Sequence, residues 1–184
     1  MLTPASELEA DPASRRGADR VRDPAGILDS LFRAHAVSLV RLAVLLLGDQ
    51  AGAEDVVQDA FLSLQRALPR IRDLARADAY LRTSVVNGCR SVQRSRHRAW
   101  LHGTQHDPPV WSAEAAALAG EETRAVLAAV ATLPARSREI LALRFYLDLP
   151  QQQIAETLGI SRGTVSSTIS RAIATLGRIL QESQ

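Results

Sequence analysis

Apolar residues recur at three- and four-residue steps along most of the chain, and each run stops at Gly, Pro or a short polar break. The first run takes in Leu28, Leu31, Phe32, His35, Leu39, Leu42 and Leu46 and halts at Gly48-Asp49. That spacing predicts a helix with one packed face, starting near Ile27. A second helix is predicted over 53–68, with Val57, Phe61, Leu64 and Leu68 inward and Pro69 as its stop. A third runs over about 77–96, with Leu81, Val85, Gly88, Cys89 and Val92 inward. Four more are predicted over 121–132, 135–146, 150–158 and 161–181, separated by Pro134, by Asp148-Leu149 and by Gly159.

The last two form a unit. Ile154 and Leu158 share a face, Gly159 can take the positive φ that ends a helix, and Ser161 can cap the next one. In that next helix Val165, Ile169, Ala172, Ile173, Leu176 and Leu180 gather on one side, while Gly163, Ser167, Ser170, Arg171, Ala174 and Arg178 gather opposite. Helix, Gly turn, cap and amphipathic helix are the grammar of a helix-turn-helix, which sets its second helix into the DNA major groove.

Composition sharpens the picture. With 46% hydrophobic but only 4% aromatic residues, and with Pro and Gly mostly at segment edges, the chain reads as all-α, its cores built from Leu, Val, Ile and Ala. Residues 99–120 lose both periodicity and Arg and contain Pro108-Pro109, which predicts a flexible linker between two small helical domains, 26–98 and 121–184. Residues 1–25, with three prolines and no apolar period, are expected to be a disordered leader. A lone Cys89 excludes an internal disulfide, no secretory signal is present, and the longest apolar run, 42–47, is too short to span a bilayer. The expected location is the cytoplasm, without membrane insertion.

Charge is uneven along the chain. Residues 27–65 carry two Arg against five carboxylates, whereas 66–98 carry nine Arg against two. The second stretch is an electrostatic footprint for a polyanion, and its Arg residues suit bidentate phosphate recognition. On the third helix Thr83, Asn87, Arg90 and Arg94 line the side away from the core, with Tyr80 and Ser91 at its edge. Arg for phosphate, Asn for a base edge and Tyr for stacking are what a single-stranded nucleic acid requires. On the second helix Asp55, Asp59, Leu62 and Arg66 form an outward stripe suited to a basic helical partner, although a merely solvated acidic face has the same spacing.

Nothing points to catalysis: no nucleophile–base set accompanies the carboxylates, there is no Gly-rich phosphate loop, and no cofactor is expected. His102 and His106 are four apart but bracket Gly103 in the linker, so a metal is not expected there either.

Four segments occur in a fixed order: Ala53-Glu54-Asp55-Val56-Val57-Gln58-Asp59-Ala60-Phe61, then Ala79-Tyr80-Leu81-Arg82-Thr83-Ser84-Val85-Val86-Asn87, then Leu133-Pro134-Ala135-Arg136-Ser137-Arg138-Glu139-Ile140-Leu141, and last the helix-turn-helix. In this the chain resembles the bacterial RNA polymerase sigma factors of the extracytoplasmic-function (ECF) group, over about 27–98 (region 2) and 121–182 (region 4). The resemblance implies a transcription initiation factor, not itself an enzyme, with core RNA polymerase and promoter DNA as partners. Asp55, Asp59, Leu62 and Arg66 would then dock on the β′ clamp helices, with the β flap as a further contact. Tyr80, Thr83, Asn87, Arg90 and Arg94 would hold the melted −10 element. Arg162, Ser166, Ser167, Ser170 and Arg171 would meet the −35 duplex, the linker would thread near the active-site channel, and an anti-sigma factor would hold the chain in check.

The chain departs from the family pattern in places. Ser166 and Thr168 are neutral where many members are basic, Tyr80 stands where many have Trp, and Gln93 replaces an apolar residue at a position off the packing side. The competing reading of the residues alone is a helix-turn-helix repressor or activator that binds two half-sites as a dimer, with 26–98 as an interaction domain. A protein–protein adaptor is the third, and it leaves the concentrated Arg unexplained.

Overall fold

The computed structural model describes residues 24–71, 73–101 and 121–182. Among them are seven α-helices and no strand: α1 (Pro24–Leu47), α2 (Gln50–Ala67), α3 (Leu74–Leu101), α4 (Glu121–Thr132), α5 (Ala135–Leu141), α6 (Gln151–Leu158) and α7 (Arg162–Glu182). A 3-10 turn, Leu68–Arg70, follows α2, and a π-helical turn, Ala142–Tyr146, follows α5. The expected leader lies almost wholly outside the described residues, as do His102, His106 and the linker beyond Leu101.

The first three helices form an antiparallel bundle. Leu31, Leu39, Leu42 and Leu46 of α1 are buried against α2 and α3, as their spacing requires. By length and composition alone α1 could cross a membrane. Asp29, Arg33 and Arg41 break its apolar runs, and its buried side faces the bundle. Phe32, expected inward, is 53% exposed and meets the edge of Phe61 at 5.1 Å between ring centroids. At Gly88 a Cβ would fall 2.7 Å from Val56 Cγ1, so the missing side chain is what lets α2 and α3 approach.

The corner between α1 and α2 is closed by side chains from α3. Gly48 takes φ +81° after α1, and Asp49 Oδ1 accepts the Gly52 N–H at 2.6 Å as N-cap of α2. The last carbonyls of α1, which a helix end leaves without partners, are taken up from 47 to 49 residues away: Gln93 Nε2 donates to Leu46 O (2.8 Å) and Arg96 Nη1 to Leu47 O (3.0 Å). Gln93 is therefore a structural clamp, contrary to the little weight its position suggests in the sequence. Arg96 also pairs with Asp49. Burial alone would raise the Asp49 carboxyl, but the hydrogen bonds from Arg96 and Gly52 outweigh it and hold the group below its usual value. Its contribution is thus present above the unfolded carboxylate range, near pH 4, and lost as pH falls through the lowered folded value. Asp49→Ala is expected to cost about 1–2 kcal/mol in urea denaturation at neutral pH, with the difference from wild type shrinking on acidification.

The C-terminal helices are ordered by local turn chemistry. Gly159 adopts φ +64° after α6, Ile160 N–H reaches back to Ala155 O (3.0 Å), and Ser161 Oγ accepts the Thr164 N–H (3.1 Å) to start α7. Ile154, Leu158 and Val165 are buried beneath that turn. The helix expected over 135–146 instead widens after Leu141 into the π-turn, closed by Leu147 N–H to Ala142 O (3.2 Å). The wider turn leaves Phe145 and Tyr146 facing outward. Ile173, assigned to the packed side of α7, is 49% exposed and lines an apolar groove with Val126, Phe145 and Tyr146.

The two helical units share apolar contact. Ile140, Leu143, Leu149, Ile154, Leu158 and Val165 belong to the same continuous apolar cluster as the α1–α3 residues. The junction is made by α3 against α6, and by α1 against α5 and the π-turn. Among the described residues, Leu133, Leu141 and Ala172 form a small cluster of their own.

Candidate nucleic-acid interface

Three exposed surfaces carry the residues that the sequence singles out. On α2, Asp55, Asp59, Leu62 and Arg66 all lie on the solvent side, opposite buried Val57, Phe61 and Leu64. Among the described residues neither aspartate is engaged in an ion pair. Their charge is free to meet a partner. Leu62, 42% exposed, borders a groove between α1 and α2 with Phe32 and Val40.

On α3, burial of Leu81, Val85, Val86 and Cys89 fixes the rotation of the helix. Burial pushes the Cys89 thiol up to about 12, which keeps it protonated and inert as a small core side chain. That rotation leaves Asn87 and Arg94 exposed, Thr83 half-buried, and Tyr80 half-buried against the core cluster. Arg90 is not free. It forms a bidentate pair with Glu139 of α5, Nε to Oε1 and Nη2 to Oε2 at 2.7 Å each, and its Nη1 lies 3.4 Å from Asn87 Oδ1. The hydrogen bonds to Glu139 hold the Arg90 guanidinium above its usual value, against the effect of burial.

On α7, Arg162, Ser166, Ser167, Ser170 and Arg171 are exposed along the side opposite Val165 and Ala172. The serines satisfy themselves within the helix, Ser167 Oγ to Thr164 O and Ser170 Oγ to Ser166 O at 3.2 Å, and Arg171 Nε lies on Ser167 O at 3.2 Å. These bonds are solvent-exposed and exchangeable, so a nucleic-acid edge can replace them at little net cost. Among the described residues there is no group of three or more side chains suited to hold a metal.

Four residues that hold the helices carrying these surfaces in place escape sequence reasoning: Gln93, Arg96, Arg136 and Glu139. Each works through a partner brought near by tertiary packing, and periodicity carries no signal for that. Arg136 Nη1 donates to Glu139 Oε2 (3.1 Å) and its Nη2 to Leu158 O (3.2 Å), tying α5 to the end of α6.

Comparison with known proteins follows the same division. Residues 31–99 match the family description Sigma-70 region 2, and residues 123–176 match Sigma-70, region 4. The chain is 35% identical over 161 residues to the ECF RNA polymerase sigma factor SigL of Mycobacterium tuberculosis (strain ATCC 25618 / H37Rv), covering 86% of this chain and 91% of that one. It is 36% identical over 155 residues to SigM of the same strain, covering 83% and 76%. Among solved structures it superposes on CnrH in complex with the cytosolic domain of CnrY, with a TM-score of 0.65 and 26% identity over 85% of this chain and 89% of that one. The sigma factor RpoE, in complex with the anti-sigma factor NepR from Bartonella quintana, shares the fold at a TM-score of 0.64 and 20% identity, over 93% and 99%. With both regions present in order on an all-helical frame, and with relatives of this identity along nearly the whole length, the chain belongs to the ECF group of RNA polymerase sigma factors.

Proposed function

We propose that this sigma factor joins core RNA polymerase through the α2 stripe, holds the melted −10 element on α3 and reads the −35 element as duplex with α7. The observation that carries this reading is that two chemically different faces stand outside the core of one chain. The α3 face offers Asn87, Arg94 and a nearby Tyr80; the α7 face offers Ser and Arg at the head of a capped helix-turn-helix. The first set suits unpaired bases on a phosphate track, the second a groove edge. Neither face is useful to the other's substrate.

In this reading Asp55, Asp59, Leu62 and Arg66 meet the β′ clamp helices, and the C-terminal helices meet the β flap. The factor works in the cytoplasm, and the chemistry of RNA synthesis belongs to the polymerase. CnrH is bound to CnrY in its solved structure, and we extend that relation to an anti-sigma factor that withholds this chain from the polymerase. The exposed Phe145, Tyr146 and Ile173 around the α4–α7 groove support a largely apolar contact there.

Extruding a base costs a few kcal/mol of stacking, which contacts on α3 must help to offset. Asn87→Ala is therefore expected to lower promoter opening about tenfold, as the loss of one base-directed hydrogen bond implies, while closed-complex formation changes little. Permanganate reactivity of thymines around −10, measured with the assembled holoenzyme, tests this. Equal reactivity in mutant and wild type contradicts it.

A further inference from the structure

The outward ridge of α2 has an ordered make-up. From the head of the helix it runs through Glu54 and Asp55 to Asp59 and then to Leu62, all of them exposed. Among the described residues none of the three carboxylates is in an ion pair. Glu54 only accepts a hydrogen bond from Gln50 Nε2 (2.6 Å), which leaves its charge uncompensated. Asp55 and Asp59 stand one turn apart, a spacing at which like charges destabilise a helix. The apolar end of the ridge is continuous with the groove that Leu62 shares with Phe32, Val40 and Phe61.

The chain carries a segment with the complementary order. Arg15-Arg16-Gly17-Ala18-Asp19-Arg20-Val21-Arg22 holds four Arg against one Asp, and only Asp23 separates it from the first residue of α1. It lies outside the described residues. Because α1 and α2 are antiparallel, the start of α1 stands toward the C-terminal end of α2, as the Phe32–Phe61 contact shows. A segment that reverses at Asp23-Pro24 therefore enters the groove at its Phe32–Leu62 end and runs toward Asp55. Val21 then falls at the apolar end, and Arg15-Arg16 at Glu54 and Asp55. The lengths agree. Phe32 is about 12 Å along α1 from Pro24, and Asp55 about 10 Å beyond Leu62, at 1.5 Å per helical residue. Eight extended residues span about 26 Å.

We propose that residues 15–22 fold back onto α2 of the same chain, with Arg15 and Arg16 on Glu54 and Asp55 and Val21 beside Leu62, and so compete with core polymerase for that ridge. The competition rests on the reading of α2 as the polymerase-docking surface. Exposed charge pairs are weak between separate molecules, but a one-residue tether holds the segment at an effective concentration of about millimolar. A segment docked about nine-tenths of the time leaves one-tenth of the chain competent, which weakens the apparent affinity for polymerase about tenfold. The polymerase displaces it by making the larger contact, and added salt loosens it by screening.

The test uses the full chain, labelled with nitrogen-15 and carrying a nitroxide at Ser14→Cys; native Cys89 is buried and stays unlabelled. At low salt the nitroxide is expected to broaden the amide signals of α2 around Glu54 to Asp59 and to spare those of α7. Arg15→Glu with Arg16→Glu should abolish the broadening, and adding Glu54→Arg with Asp55→Arg should restore it. In titrations of labelled core polymerase the Arg15→Glu, Arg16→Glu chain, without nitroxide, should bind about tenfold more tightly than wild type at low salt. Wild type without selective broadening of α2, broadening that survives the Arg15→Glu, Arg16→Glu change, or broadening centred on another helix would each overturn the proposal. So would broadening of a nitrogen-15 chain by a separate nitroxide-bearing chain mixed with it, which would make the occupant a second copy. If Asp55→Arg weakens polymerase binding but Arg15→Glu with Arg16→Glu brings no gain, the competition is overturned. The underlying reading fails differently: Asp55→Arg itself then leaves polymerase affinity unaltered, whatever the broadening shows.

Discussion

Asp55→Arg is expected to weaken association with core RNA polymerase by at least about tenfold, the lower end of what close charge pairs contribute across desolvated interfaces. The argument begins with the rotation of α2. Burial of Val56, Val57, Ala60, Phe61 and Leu64 leaves Asp55 and Asp59 outward, one helical turn apart, beside exposed Leu62. In the proposed docking, two unpaired carboxylates followed along the stripe by an apolar residue meet a basic helical partner. Reversing one of them both removes an attraction and adds a repulsion. The substitution lies on solvent-facing helix, so stability should move by no more than about 0.5 kcal/mol. Binding of an isolated −35 duplex, proposed to use α7, should not change. Titration of labelled core polymerase with each variant measures the effect, and an unaltered affinity for Asp55→Arg would remove α2 from the docking surface.

The second large effect is expected at Arg171. It is exposed on α7, and its own helix holds it only through a bond to Ser167 O at 3.2 Å. An Arg that contacts a base edge carries about 1–3 kcal/mol of discrimination, so Arg171→Ala should weaken −35 recognition some five- to a hundredfold. Because Ser166 and Thr168 are neutral, Arg162 and Arg171 supply much of the positive charge of this face. If Arg171 also neutralises a phosphate, the slope of log affinity against log salt should flatten by about 0.9. Association with core polymerase should be untouched. Footprinting of the −35 region by the holoenzyme is the readout, and full protection by Arg171→Ala would exclude this residue from the contact.

Helix identity and most packed faces were legible in the sequence because three- and four-residue spacing is a local signal. The turn at Gly159 and the cap at Ser161 were legible for the same reason, since a left-handed residue and a capping hydroxyl need only their neighbours. The outward placement of Asp55, Asn87 and Arg171 follows directly from the burial of residues three or four positions away. What the sequence hides is what α3 does for other elements. Gln93 and Arg96 close the end of α1 from 47 to 49 residues away, and Arg90 finds Glu139 at a similar remove. Glu139 lies in a segment whose spacing marks a helix, and no local signal predicts its burial, which comes from α5 lying against α3. The π-turn was equally hidden: Ala142 to Tyr146 has ordinary helical spacing, and the chain leaves it through the left-handed Asp148 to reach buried Leu149.

The claim at the centre of this account is that the chain acts only as part of a larger polymerase, with separate faces for unpaired and paired DNA. Genomic DNA fragments transcribed in vitro by purified core polymerase, with and without this protein, and mapped at their 5′ ends test it most directly. The expected result is a set of discrete start sites that depend on the added protein and share two short upstream sequence elements near −10 and −35. Start sites unaffected by the protein, together with its binding as a dimer to a palindromic duplex without core polymerase, would contradict the account.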